Sequence, residues 1–184
     1  MPVVSSDEEK QVRFAGLGHS YLPGWRRHQR AGVWWFKQMD PTATSATKAR
    51  AEELFRAGDM VAAADAYRTL AQAQPANAHA QRMLATCLIS LKQFDEAVMA
   101  GKAAATLQPT DAEARYVVGY AQSAQGKYND AIEELDAALY LAPNHLAAKQ
   151  ALIYCLMSAG AQVGPHDFRA AEQYFDRAHK LDPA

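Results

Sequence analysis

Residues 112–145 read AEARYVVGYAQSAQGKYNDAIEELDAALYLAPNH. Val117, Val118, Ala121 and Ala124 recur at helical spacing. Gly126 interrupts the pattern and predicts a tight turn. A second helix is predicted from near Tyr128, with Ile132, Leu135, Ala138, Leu139 and Leu141 on one side. Pro143 ends it, because proline has no N–H to donate and disfavours helix in the residue before it. The unit is helix, turn, helix, turn.

The unit recurs. Pro75, Pro109 and Pro143 stand 34 residues apart, with Pro41 one period upstream; Ala63, Ala97 and Ala131 keep the same interval. Pro183 and Ala171 continue both series after one stretched interval of 40. Residues 44–77, 78–111 and 112–145 therefore superpose as copies. A fourth copy, 146–184, carries a six-residue insertion near 161–167 (AQVGPHD), predicted to enlarge its turn. A fixed period of this size means stacked helix pairs, each sharing its apolar face with the next. Small residues mark the close approaches: Ala51, Ala85 and Gly119 on first helices, Ala63, Ala97, Ala131 and Ala171 on second ones. Ile153 replaces the small residue in the last copy, which predicts a different spacing for that helix pair. Exposed Glu172, Gln173, Asp176, Arg177 and Lys180 would let the final helix close the array, or a partner or second copy covers it.

This pattern resembles the tetratricopeptide-repeat family, on the 34-residue period with small residues at the eighth and twentieth positions and proline at the thirty-second. The resemblance covers residues 44–184. The family's first-helix tryptophan is replaced by Thr47, Gln81, Arg115 and Lys149. The implied fold class is all-α: a right-handed superhelix of about four repeats whose first helices line a concave face. The family's contact positions fall on Ser45, Lys48, Glu52, Phe55 and Arg56, then His79, Arg82, Thr86, Ile89 and Ser90. They continue through Glu113, Tyr116, Tyr120, Ser123 and Ala124 to Ala147, Gln150, Tyr154, Met157 and Ser158. Tyr116, Tyr120 and Tyr154 share that face, with Arg82, Gln150 and Met157 as further candidate groove residues. Packing between neighbouring helices is the competing use for these tyrosines. Some family members clamp a chaperone's C-terminal carboxylate with five basic and amide residues. Here Lys48 matches, but Glu52, Met83, Glu113 and Val117 occupy the other places, so a carboxylate clamp is not expected.

Residues 1–43 form a separate extension with six Lys/Arg and four Asp/Glu, against thirteen and sixteen in 44–184. All three tryptophans lie here, in YLPGWRRHQRAGVWWFKQMDP. A helix from about Trp25 would put Trp25, His28, Gly32, Trp35, Phe36 and Met39 on one face, and Arg26, Arg30 and Lys37 largely on another. Upstream, Ser6-Asp7-Glu8-Glu9 resembles a capping box opening a short helix that ends at Gly16 or Gly18. The candidate contact residues are Trp25, Arg26, Arg30, Trp34, Trp35 and Phe36. Three uses are open: folding back over the first repeat or groove, binding a partner, or lying in a membrane interface.

The net charge of −1 argues against general nucleic-acid binding. No stretch approaches the roughly 18 apolar residues of a membrane span, and the acidic N-terminus lacks a secretory signal, so a cytoplasmic location is expected. Cys87 and Cys155, two periods apart, are expected to be buried and reduced. His19, His28, His79, His145, His166 and His179 show no metal-ligand spacing, and Gly16-Leu17-Gly18 is no phosphate loop. No enzyme activity, cofactor or metal is expected. The leading expectation is an adaptor that binds a protein or peptide partner. A chaperone for an exported hydrophobic protein and an assembly factor of a larger, membrane-associated complex are the alternatives. Self-association is permitted.

Overall fold

In the computed structural model, which describes residues 26–30, 33–37 and 41–182, eight helices follow one antiparallel hairpin. The helices pair as α1 (Pro41–Arg56) with α2 (Met60–Ala73), α3 (Ala78–Ser90) with α4 (Phe94–Leu107), α5 (Ala112–Ala124) with α6 (Tyr128–Leu141), and α7 (Leu146–Val163) with α8 (Phe168–Leu181). Each helix also packs on the next in sequence, and the first helices α3, α5 and α7 touch one another in turn. This is an all-α stacked array. Its core is built largely of alanines, with larger side chains such as Tyr67, Leu70, Leu88, Leu135, Leu152 and Leu156 fully buried among them.

The period is written into the turns and caps as well as the apolar positions. Asn77, Asp111 and His145 are 34 apart. Each is an N-cap whose side chain accepts a backbone N–H three residues on, from Ala80, Ala114 and Ala148. Asp59 and Asp167 cap α2 and α8 in the same way. Each such bond satisfies one of the donors a helix start leaves open. Between paired helices, Gly58, Lys92 and Gly126 recur at 34-residue intervals with φ of 81°, 60° and 76°.

Three expectations are corrected. Residues 26–30 and 33–37 do not form a helix. β1 (Arg26–Arg30) and β2 (Val33–Lys37) pair antiparallel, with His28 opposite Trp35 and Gln29 opposite Trp34. The run Val33-Trp34-Trp35-Phe36 has high strand propensity, and only two residues, one of them Gly32, separate the strands. Trp25 and the proposed Ser6–Glu9 cap lie outside the described residues, as do the side chains of Arg26, Arg30, Trp34, Trp35 and Phe36. The second correction concerns the start of the first repeat, drawn at residue 44: α1 opens at Pro41, whereas Pro75, Pro109 and Pro143 each precede a first helix by three residues. Proline suits the first position of a helix, where its missing N–H costs no bond.

The third correction concerns the insertion. It extends α7 to 18 residues, against 13 for α3 and α5, and leaves only residues 164–167 as the turn. Its effect is on the helix crossing. In α5 the small residue is Gly119, where a Cβ would meet Leu135 Cγ at 2.7 Å and the Ala131 carbonyl oxygen at 3.1 Å. In α7 that place is Ile153, and the close approach has moved two turns along to Gly160, against the ring of Phe175. Ala171, the counterpart of Ala131, faces Gly164.

Candidate functional site

Two columns of first-helix positions, expected on the concave face, follow the period. One runs Lys48, Arg82, Tyr116, Gln150; the other runs Glu52, Thr86, Tyr120, Tyr154, each at 34-residue steps. The first two repeats are therefore polar here and the last two aromatic.

The polar end is occupied by its own ion pairs. Lys48 Nζ lies 3.9 Å from Glu52. Arg82 Nε lies 3.1 Å from the carboxylate of Asp111, in an ion pair not aligned as a hydrogen bond, and its Nη2 is 3.4 Å from His79 Nδ1. Burial, then the Arg82 charge, lowers the pKa of His79. Arg82 thus braces the start of α5.

The aromatic end holds an open concavity of about 690 Å³ between α5 and α7. Tyr116, Tyr120, Tyr128, Gln125, Gln150 and Tyr154 line it, with Ser123 and small residues at its base. Tyr116 and Tyr120 lie one turn apart, with ring centroids 6.0 Å apart and planes tilted by 54°. Tyr128 and Tyr154 meet edge-on at 6.1 Å. Behind Tyr116, the ring of His145 lies 4.9 Å away. His145 Nδ1 accepts from Ala148 N–H, so in the neutral ring Nε2 carries the proton, which it donates to Glu113 at 2.9 Å. Tyr116 is half-buried, whereas Tyr120 and Tyr154 are 44% and 57% exposed. Burial raises the pKa of Tyr116, with Tyr120 and Glu113 adding to it. The hydrogen bond with Tyr154 raises that of Tyr128. Both phenols stay neutral at physiological pH.

Of the candidate groove residues, Tyr116, Tyr120, Gln150 and Tyr154 come together here, while Arg82 and Met157 lie outside the lining. Sequence reasoning missed Tyr128 and Gln125. Both sit at the tight turn between paired helices, whose tip folds back toward the concave face; Gly126 between them was the available signal.

Elsewhere the thiols are inert. Cys87 and Cys155 are fully buried and unpaired. Burial pushes the Cys87 pKa up to about 11 and raises that of Cys155. Among the described residues, no group of His, Cys, Asp and Glu is arranged to hold a metal ion, and no helix is long and apolar enough to cross a membrane.

The array superposes on the first tetratricopeptide-repeat domain of Spaghetti (RPAP3) bound to an HSP90 peptide, with a TM-score of 0.61. The identity is 24%, over 64% of this chain and 94% of that one. The fold is that of a tetratricopeptide-repeat array. The second such domain of human RPAP3, in complex with an HSP70 peptide, gives a TM-score of 0.60 at 24% identity, over 63% of the repeat protein and 98% of that domain. MamA gives 0.65 at 19% identity, over 78% and 81%. By sequence, residues 62–138 match the family described as anaphase-promoting complex, cyclosome, subunit 3. No curated protein matches the chain.

Proposed function

We propose that this repeat protein is a non-enzymatic adaptor that holds a segment of a protein partner in the concavity between α5 and α7. One observation carries the reading. Tyr120 and Tyr154, large aromatic side chains at equivalent positions of consecutive repeats, stand 44% and 57% exposed on a concave surface instead of in the core. Tyrosine ordered by its neighbours offers a broad apolar ring and a hydroxyl at little further cost in entropy, which is what interfaces favour. Domains of the same fold hold HSP90 and HSP70 peptides, which supports a peptide as occupant. A carboxylate-ended chaperone tail fits poorly, because the one matching lysine, Lys48, is already paired with Glu52.

Affinity capture with the full chain as bait tests this. Wild type should recover a partner that a Tyr116→Ala, Tyr154→Ala double variant loses by about tenfold or more. Equal recovery from a folded double variant would sink the groove assignment.

A further inference from the structure

We propose that the segment seated in this concavity is an uncharged, proline-rich stretch in the polyproline II conformation, an inference that rests on the groove reading above. Charge is the first argument. None of the lining residues is Asp, Glu, Lys or Arg. A charged segment would surrender hydration there with no countercharge to receive it, so the complementary surface is a neutral one.

Hydrogen bonding is the second argument. The lining offers donors in the hydroxyls of Tyr116 and Tyr120 and the amide of Gln150, whereas Gln125 Nε2 already donates to Asp95 and Tyr128 and Tyr154 hydrogen-bond each other. A helical occupant spends its carbonyls internally and would leave these donors unanswered. A polyproline II segment has no internal hydrogen bonds, so every carbonyl is free to accept, and its prolines carry no N–H in need of an acceptor.

Shape and entropy agree. The two tyrosine pairs, at 6.0 and 6.1 Å, present ring faces and edges to an open trough, the kind of aromatic wall against which pyrrolidine rings pack. Along α5, Tyr116 and Ala124 are about 12 Å apart at the helical rise. About four polyproline residues cover that length. A small concavity leaves little surplus to offset ordering a floppy chain, and a pre-stiffened segment costs least to bind.

The test uses the full chain and three fluorescein-labelled peptides of equal length: an oligoproline, an acidic peptide and an alanine-rich helical peptide, read by anisotropy. The oligoproline should saturate, with a Kd that changes by less than about twofold between about 50 and 500 mM salt. Tyr120→Ala should weaken it by about tenfold or more. Tyr120→Phe, which keeps the ring and removes only the hydroxyl, should weaken it less and guards against loss of fold. No oligoproline binding, or binding indifferent to Tyr120→Ala, would overturn the proposal. If the acidic or helical peptide binds instead, in a Tyr120-dependent way, the groove reading stands and the proline inference falls. If no peptide binds while capture still depends on Tyr116 and Tyr154, the result is the same. Capture indifferent to those two residues removes both.

Discussion

Lys92 shows what a single residue contributes against the period. Its backbone φ is 60°, in the left-handed region that its counterparts Gly58 and Gly126 occupy freely. The turn geometry is dictated by the helices on either side, so the lysine adopts a conformation costing about 1–2 kcal/mol. A Cβ meets nothing within 4 Å at either glycine, so the difference is purely conformational. Lys92→Gly should therefore stabilise the protein by about 1 kcal/mol, after the glycine's own entropy cost. Urea unfolding reads this directly, and an unchanged or lowered midpoint would contradict it. The glycine turns announce themselves in the sequence. The lysine turn is legible only because the beat of 34 runs through it.

Pairs of helices are set by how closely they can cross. At the α5–α6 crossing, Gly119 faces the fully buried Leu135 and the Ala131 carbonyl, neither of which can retreat. At the α7–α8 crossing, Gly160 faces Phe175, which is 38% exposed and has room to swing outward. Gly119→Ala should thus cost about 1–3 kcal/mol by overpacking. Gly160→Ala should cost less, since the ring yields and alanine improves the helix. Equilibrium denaturation of the two variants orders them, and a reversed order would refute this account of the crossings. The position of the first crossing was readable from the small residues at places eight and twenty. That of the last was not, because the insertion lengthens α7 and carries the crossing along with it.

Across the whole molecule, stability is shared only between neighbours. α8 packs along α7 and is tied to α6 by the Tyr174–Asn129 hydrogen bond and the Arg177–Asp136 ion pair, and only Ala171 and Ala178 of its 14 residues are buried. α4 and α5 have helices packed on both sides. Nearest-neighbour stacking predicts that α8 amides exchange with solvent faster than those of α4 and α5, by local opening. Equal protection in native-state hydrogen exchange would mean the array opens only as a unit. By itself the sequence determined the helices, their pairing and their order, because a period of 34 admits only stacked copies sharing one apolar seam. It also placed Tyr116, Tyr120, Gln150 and Tyr154 on one face. Only the tertiary structure decided which of those side chains are free. Asp111 is brought up to Arg82 from 29 residues away, while Tyr128 and Gln125 are folded in from a turn to complete the aromatic end. The pairing of 26–30 with 33–37 was likewise decided by the structure, since Trp35 and Phe36 also fit a helix face shared with His28 until a second strand pairs with them. Periodicity records spacing along the chain, with no information on which side chains approach one another in space, whether from 29 residues away, as Asp111 does, or across a turn.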